Sequence, residues 1–269
     1  MRLALDIRKS IEENASVYFE KSKKDKKKII GARKAVEMYK SKLGGLKQEK
    51  IKEKAVVKKK VKKDWYEKFR WFISSDDYLV IGGRDATTNE IVIKKYTEKN
   101  DLVFHTDMAG SPFVVIKNKE AKKTSKAEPL SAKDKSLSIS ETTIQEAAIF
   151  TAVFSRGWKQ GMGTIDVFSV NPEQVSKQAQ PGEYLPKGAF MIRGDTTYYH
   201  PEMSYAIGIY QDKVMGGPLS AIKKHCKEFI EIIQGKEKLS DVAKLIKKNI
   251  GGELDDILRA LPAGSKVKK

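Results

Sequence analysis

Residues Gly82–Glu90, which read GGRDATTNE, combine residue types that can hold a phosphate group. Two glycines allow a strand to end in a tight turn. Arg84 and Asp85 then meet a predicted helix start, where free backbone N–H groups and the Asn89 amide can bind an anion. The alternative is structural: Arg84 pairs with Asp85 or with the glutamate that ends the motif, and Thr87 caps the helix. The residues alone leave both interpretations open.

A second candidate lies at residues Ser155–Gly161, which read SRGWKQG. Arg156, Trp158 and Lys159 fall at the end of a predicted helix. Basic and aromatic side chains together suit contact with phosphates and stacking on bases. The alternative places Trp158 in the core, with the two cations in solvent.

A third candidate is the stretch Gln174–Phe190, QVSKQAQPGEYLPKGAF, which carries Lys177, Lys187 and turn glycines. It is typical equally of an ordered functional loop and of a long connection.

Catalytic and metal-binding patterns are missing from the sequence. The three histidines have no HExxH spacing, and the single cysteine, Cys226, excludes an intrachain disulfide framework and a multi-cysteine zinc site. The glycine pairs form neither GxGxxG nor GxxxxGK[ST]. We therefore expect no cofactor, no metal and no catalytic set.

The charge of the chain is concentrated at its beginning. The 269 residues carry a net charge of +18, and residues 1–64 hold 22 basic and 9 acidic side chains. Such a basic segment favours a polyanionic partner, most simply RNA or DNA, although surface lysines also serve solubility. No apolar run approaches the roughly 18 residues of a membrane span, and no signal peptide is evident. The sequence predicts a soluble, cytoplasmic protein that does not contact a membrane.

The basic segment has a seven-residue repeat, which is typical of a coiled-coil seam. It predicts a helix from about Asp6 to Leu43, roughly 57 Å long at 1.5 Å per residue. Gly44 and Gly45 are expected to break it, and a second helix from about Lys47 would fold back as an antiparallel hairpin. The seam positions alternate in steps of four and three: Ile11, Ala15, Tyr18, Ser22, Asp25, Ile29, Ala32, Val36, Tyr39 and Leu43.

The remainder alternates strand-like runs with a few helices, which predicts an α+β fold with a mixed or antiparallel sheet. A hairpin is expected around Asp76–Asp77, a helix near Thr88 and a longer helix over 141–159. Residues 117–138 are predicted to be a surface loop. Further strands are expected in the runs LVFHT, PFVVIK, TIDVFSV, GAFMIRG, TTYYH, YAIGIY and FIEII.

Several of these stretches together resemble the NFACT family, in particular its C-terminal NFACT-R domain. The leading LDIRKSIEENASVYFEKSKKDKKK is similar to the start of the coiled-coil middle region of that family. The resemblance covers nearly the whole chain. The NFACT-R motifs occur in the order of the family: DWYEKFRWFISSDDYLVIGGRDATTNE, NDLVFHTDMAGSPFVVIK, EAAIFTAVFSRGWKQG and QVSKQAQPGEYLPKGAFMIRG.

The resemblance implies a function that composition does not. Full-length NFACT proteins bind the large ribosomal subunit that carries an obstructed peptidyl-tRNA, and they recruit tRNA to extend the stalled chain. The implied partners are large-subunit RNA and tRNA, with an NFACT-N domain in cis or in trans. The NFACT-N domain and the helix-hairpin-helix region of complete members have no counterpart in this sequence, so we expect the C-terminal half of such a protein. The loop over 117–138 also looks long for the family.

We therefore expect a basic coiled-coil hairpin over 1–64, an NFACT-R core over 65–200, and an α/β extension with a basic tail over 201–269. The expected function is a non-enzymatic RNA- and ribosome-binding module of ribosome-associated quality control. The candidate RNA contacts are Arg84, Arg156, Trp158, Lys177, Lys187, Arg193, Lys58, Lys59 and Lys60. The residues expected to shape the motifs are Gly82, Gly83, Asp85, Asn89, Glu90, His105, Gly110, Ser111 and Gly188.

Two other functions stay open. One is an enzyme that acts on tRNA, or an accessory domain for tRNA modification, with His105, Asp85 and Glu90 near one pocket. The other is an interaction protein that dimerises through its heptads.

Overall fold

A computed structural model describes residues 4–54, 63–118, 139–178 and 185–268. The chain divides into two units, residues 1–62 and 63–269. No helix within the described ranges is long and apolar enough to cross a membrane. The predicted loop over 117–138 lies largely outside the described residues.

The first unit contains one helix, α1 (Ile11–Lys54), which spans 44 residues. The predicted break at Gly44 and Gly45 is wrong, because α1 continues through both glycines. A glycine in a helix costs only about 1 kcal/mol relative to alanine, and good helix formers flank this pair. The predicted second helix from Lys47 begins inside α1, so the antiparallel hairpin is not confirmed.

The predicted seam of α1 is largely exposed. Among its members Ile11 is 86% exposed, Ile29 53%, Val36 52% and Tyr39 60%. Residues ahead of the helix bind back to it: Tyr18 of α1 donates a hydrogen bond to the Ala4 carbonyl, and Asn14 Oδ1 accepts one from the Asp6 N–H. The segment before α1 is thus held to the first turns of the helix by side-chain hydrogen bonds.

The second unit contains a six-stranded sheet in the order β1-β2-β4-β3-β5-β8. Every neighbouring pair is antiparallel. The predicted hairpin joins the first two strands, where Asp77 adopts a φ of 63°. The strands are β1 (Arg70–Ile73), β2 (Leu79–Gly82), β3 (Leu102–Thr106), β4 (Val114–Lys117), β5 (Val167–Val170) and β8 (Thr197–Tyr199).

A four-stranded antiparallel sheet follows in the order β10-β9-β11-β12. Sequence analysis missed β10, and the predicted basic tail forms the edge strand β12. A small ribbon pairs β6 (Val175–Ser176) with β7 (Met191–Ile192). The larger strands are β9 (Tyr205–Tyr210), β10 (Lys213–Pro218), β11 (Phe229–Gln234) and β12 (Ser265–Val267).

The helices of the second unit are α2 (Ala86–Tyr96), α3 (Glu141–Val153), α4 (Arg156–Gln160), α5 (Leu219–His225), α6 (Leu239–Ile250) and α7 (Leu254–Ala260). A 3-10 helix over Trp65–Lys68 precedes β1. The predicted α+β class with antiparallel sheets is confirmed. The predicted boundary at residue 200 falls between β8 and β9.

Helix α3 packs against both sheets, since it contacts β3, β4 and β5 of the first and β9 and β10 of the second. Ala147, Ala148, Phe150 and Val153 are fully buried, as expected of a helix enclosed by other elements. The predicted helix over 141–159 is divided at Ser155. The Ser155 hydroxyl donates to the Ala152 carbonyl and accepts from the Gly157 N–H, which ends α3 and caps α4.

A buried carboxylate links the β1–β2 turn to α5. Glu146 on α3 is 2% exposed. It accepts hydrogen bonds from the backbone N–H of Ser75 at 2.8 Å and from the hydroxyl of Ser220 at 2.6 Å. Because these hydrogen bonds satisfy the buried carboxylate, Glu146 fixes how α3, the β1–β2 turn and α5 meet.

The end of β2 lies unusually close to α2. A β-carbon on Gly83 would stand 1.8 Å from Asn89 Oδ1. The Gly83 N–H donates to the Phe113 carbonyl at 3.0 Å, and Asn89 Oδ1 accepts from the Phe113 N–H at 3.2 Å. Only glycine allows this approach.

We expect Gly83→Ala to destabilise the chain, because the added methyl group displaces Asn89 from its hydrogen bond. Overpacking costs about 1–3 kcal/mol, which corresponds to a melting temperature lower by roughly 2–12 °C in a unit of this size. Thermal unfolding followed by circular dichroism measures the change. Gly163→Ala is the control, since a β-carbon there meets no atom within 4 Å and should leave the melting temperature unchanged. Equal melting temperatures for both variants would contradict the packing role of Gly83.

Candidate nucleic-acid interface

A groove of about 390 Å³ lies where the β2–α2 turn, the β3–β4 connection and the segment before β7 meet. We call this feature the groove. The candidate stretches Gly82–Glu90 and Gln174–Phe190 contribute to it, together with residues of the motif that holds the β3–β4 connection. The candidate stretch Ser155–Gly161 contributes no lining residue. The lining of the groove consists of Arg70, Gly83, Arg84, Asp85, Ala86, Asn89, His105, Ala109, Gly110, Ser111, Pro112, Phe113, Pro186, Lys187, Gly188, Ala189, Phe190 and Ile192.

The first wall of the groove is the start of α2, and its cap is Asp85 rather than the predicted Thr87. Asp85 Oδ1 accepts from the Thr88 N–H at 2.8 Å, and Thr88 Oγ1 accepts from the Asp85 N–H at 2.9 Å. The hydrogen bond from the Thr88 backbone holds the pKa of Asp85 below its usual value. The negative charge of Asp85 therefore lies at the N-terminus of α2, where the backbone N–H groups of the first turn stabilise it.

The opposite wall, residues 185–190, is held against α2 by Glu90. The Glu90 carboxylate accepts from the Gly188 N–H at 3.1 Å and pairs with Lys177 at 3.0 Å. Lys177 also donates to the carbonyls of Pro186 and Ala189, each at 2.9 Å. We call these contacts of Glu90, Lys177 and Gly188 the clamp.

Gly188 fits the clamp because its φ is 81° and a β-carbon there would stand 2.5 Å from Ala86 Cα. A side chain at this position would both strain the backbone and push the wall away from α2.

Two exposed cations, Arg84 and Lys187, line the groove, and a third, Arg156, lies beside Gly110 of its lining. Arg84 donates to the Lys68 carbonyl at 3.3 Å, and Lys187 stands on the clamped wall. The Arg156 Nε atom lies 3.4 Å from the point where a β-carbon of Gly110 would stand. Within the described ranges none of the three forms an ion pair. Their charges are available to an anion.

Sequence analysis missed a fourth cation, Arg70. Its Nη1 donates to the Gly83 carbonyl at 3.0 Å, and its guanidinium lies 4.1 Å from the centre of the Phe154 ring. Burial lowers the pKa of Arg70 to about 10, and its Nε atom has no hydrogen-bond partner among the described residues. The signal in the sequence was period-two alternation, which puts Arg70 on the same face of β1 as the buried Phe72.

Aromatic rings line the interior of the groove. His105 stacks on Phe113 with ring centres 4.2 Å apart, and Phe190 contacts Phe113 edge to face at 5.2 Å. Burial lowers the pKa of His105, and its backbone hydrogen bonds at Thr106 and Ser111 oppose this only in part. His105 is therefore neutral near pH 7. Around it, Ser111 donates to the Met108 carbonyl at 3.0 Å.

Several predicted contacts lie elsewhere. Trp158 is 2% exposed and its Nε1 donates to Ser265 at 3.1 Å, so its prediction as a base-stacking residue is wrong: its apolar ring belongs to the core and its polar atom is satisfied there. Lys177 serves the clamp. Arg193 donates to the Gln178 carbonyl at 3.1 Å and does not line the groove. Lys58, Lys59 and Lys60 lie outside the described residues.

Gly82 ends β2 beside the Phe150 ring, 3.2 Å from where its β-carbon would stand. Gly110 adopts a φ of 90° in the β3–β4 connection. The described residues contain no group of three or more His, Cys, Asp or Glu side chains placed to hold a metal ion. The groove presents cations, apolar walls, neutral polar groups and one carboxylate, that of Asp85, which caps α2.

Residues 68–194 match the sequence pattern of the NFACT protein RNA binding domain, NFACT-R. All the residues that line the groove fall within this range. The chain belongs to the NFACT family. The NFACT-R domain thus holds the groove, while α1 and the second sheet lie outside the matched range.

Curated relatives support the assignment. Over 218 residues the chain is 40% identical to the archaeal Rqc2 homolog aRqcH of Methanocaldococcus jannaschii, covering 77% of this chain and 30% of that protein. It is 35% identical over 192 residues to the human ribosome quality control complex subunit NEMF, covering 70% and 16%. The chain thus spans less than a third of the length of either relative.

One solved structure is also similar, the C-terminal part of the fibronectin/fibrinogen-binding protein of Streptococcus suis. It has a TM-score of 0.37 and 18% identity, and the match covers 55% of this chain and 49% of that one. This likeness is too low to support an argument.

We expect the clamp of the NFACT-R domain to depend on pH. Hydrogen bonds from Gly188 and Lys177, and a weaker one from Lys94 on the same helix, lower the pKa of Glu90 from 4.5 to about 2. Because the folded state holds the ionised form, the clamp stabilises the fold above pH 4.5 and loses this effect as the pH falls toward about 2. The Glu90→Gln variant should therefore be less stable than the parent chain at pH 7, and the difference should shrink below pH 4.5. Urea unfolding across this pH range measures it.

Glu237→Gln changes an exposed carboxylate outside the clamp and serves as the control. A difference between Glu90→Gln and the parent chain that stays constant from pH 7 to pH 2 would contradict this role of the Glu90 charge.

Proposed function

We propose that residues 63–268 bind RNA through the groove, as part of ribosome-associated quality control. The observation that carries the proposal is the arrangement of Arg84, Lys187 and Arg156 around one apolar groove inside the NFACT-R match. Relatives named as subunits of ribosome quality control complexes support the cellular role. The partners that we propose are the RNA of the large ribosomal subunit and tRNA, with an NFACT-N domain in cis or in trans.

The roles of Asp85 and Glu90 favour a binding function over acid–base catalysis by these two carboxylates. Asp85 caps α2, and Glu90 holds the clamp. Both are stabilised as anions by donors of the protein itself, so neither is poised to exchange protons near pH 7.

We expect Arg84→Ala to weaken RNA binding by about 1–3 kcal/mol, the usual effect of losing a charge-assisted contact. The salt dependence should become shallower by about one phosphate contact. Arg84→Lys should keep part of the affinity if the charge alone matters, and little if a bidentate contact is needed. Fluorescence anisotropy with labelled tRNA and with large-subunit RNA fragments at several salt concentrations provides both quantities.

Lys236→Ala is the matched control, since it removes an exposed cation that does not line the groove. The melting temperature of Arg84→Ala should equal that of the parent chain. Full affinity with a lowered melting temperature would assign Arg84 to the scaffold, and equal losses for Arg84→Ala and Lys236→Ala would show that binding follows total charge.

The basic N-terminal segment should add sequence-independent affinity. Replacing Lys58, Lys59 and Lys60 together by Gln removes three of its charges. We expect weaker binding to every RNA and a salt slope shallower by as many as three contacts, because each neutralised phosphate contributes to the slope. An unchanged slope in the same anisotropy titration would contradict a direct phosphate role for these lysines.

A second candidate function, helix pairing through α1, is favoured by one observation, the exposed seam that contains Ile29 and Val36. Apolar heptad positions are buried when helices pair. Sedimentation equilibrium of the parent chain and of an Ile29→Lys variant tests it: a dimer that the substitution dissociates supports pairing between copies, and a monomer in both contradicts it.

A further inference from the structure

We infer that the groove receives one unpaired nucleotide of RNA, with its base inside and its phosphates among the cations of the opening. The inference rests on the proposed function and makes it more specific, because it names the RNA element that enters the site. Three observations carry it: the size of the groove, the division of its lining into apolar and cationic parts, and the buried charge of Arg70.

The size of the groove suits a single small guest. Its volume of about 390 Å³ falls within the range of roughly 300–1,000 Å³ found for small-molecule sites. A base inside a duplex is stacked on both faces and paired along its edge, so it cannot enter. An unpaired base in a loop, bulge or end can turn out of the helix and be accommodated by protein.

The lining is divided in a way that matches a nucleotide. Its less exposed part is formed by apolar side chains and ring edges: Pro112, Phe113, Ala189, Phe190 and Ile192. Ala86 and Ala109 line the groove as exposed residues. The exposed cations Arg84 and Lys187 line the groove, and Arg156 lies next to Gly110 at its edge. A surface that reads only the phosphates of a duplex needs the cations but has no use for an apolar recess beneath them.

Arg70 adds a reason for an anion to come close. Its guanidinium is buried, lies against the Phe154 ring and forms no ion pair among the described residues. A buried charge without a counter-ion is costly, and an opposite charge nearby reduces that cost. The charge of Asp85 offsets part of this cost at a distance, while the like charge of Arg84 adds to it. A phosphate at the opening would supply a further counter-charge.

The test uses the full chain and two RNA hairpins that differ by one nucleotide. One hairpin is fully paired in its stem, with a covalently closed linker in place of a loop. The other has the same stem with a single bulged 2-aminopurine nucleotide. We expect the bulged hairpin to bind at least about 5-fold tighter, near the lower end of what one accommodated base contributes. The 2-aminopurine fluorescence should change on binding.

A variant that fills the groove without removing a charge separates base binding from phosphate binding. Ala109 is exposed in the β3–β4 connection and lines the groove, so Ala109→Leu should leave the fold intact, which the melting temperature verifies. We expect Ala109→Leu to abolish the preference for the bulged hairpin, so that the two hairpins bind with equal affinity. Ser240→Leu, an exposed change outside the groove, is the matched control and should keep the preference.

The outcomes distinguish the two proposals. Equal affinity for both hairpins, weakened equally by Arg84→Ala and unaffected by Ala109→Leu, would overturn the inference while the RNA-binding function stands. A preference for the bulge that survives Ala109→Leu would also overturn it, because the nucleotide would then bind elsewhere. If neither hairpin, tRNA nor ribosomal RNA binds, both proposals fail together.

Discussion

The contact between Gly83 and Asn89 is the constraint on which the groove depends. Because Gly83 has no side chain, the end of β2 can touch α2, and the Asn89 amide can reach across to the Phe113 N–H. The carbonyl of the same glycine receives the Arg70 guanidinium. One residue without a side chain therefore brings together β1, β2, α2 and the approach to β4. The cationic opening and the apolar interior keep a fixed spacing only while this junction holds.

Position, more than number, decides what the lysines and arginines of the NFACT-R domain do. Lys177 and Arg84 are both candidate RNA contacts in the sequence. Lys177 pairs with Glu90 and donates to two carbonyls, whereas Arg84 forms no ion pair in the described ranges. Arg70 differs again, since it is partly buried and lines the groove with its guanidinium held between the Gly83 carbonyl and the Phe154 ring. Lys177 therefore holds the wall of the groove, whereas the charge of the exposed Arg84 forms no ion pair among the described residues.

Local patterns predicted local structure well. The strand runs, the hairpin at Asp77 and the α+β class follow from alternation, turn residues and helix periodicity, which act over a few residues. The failures have tertiary causes. Trp158 was predicted to stack on bases because it lies between two cations in the sequence. Its hydrogen-bond partner, Ser265, is more than a hundred positions away, so no local pattern indicates that the ring is buried. The convergence of three motifs on one groove was also hidden, because no local signal tells which turns of a sheet share an edge. The helix break predicted at Gly44 and Gly45 failed for a local reason instead. The helix-forming residues on both sides of the two glycines outweigh their low helix propensity, and α1 continues through them.

The clamp has a consequence for the chemical reactivity of the surface. An ammonium group has three N–H bonds, and Lys177 has three oxygen partners within 3.0 Å, on Glu90, Pro186 and Ala189. An acylating reagent needs the lone pair of a neutral amine, so modification of Lys177 requires the loss of a hydrogen bond that holds the wall. Lys187, ten positions later and exposed, has no such requirement. The two lysines of one loop thus differ in kind: acetylation at Lys187 would only remove a charge, whereas acetylation at Lys177 would open the wall itself.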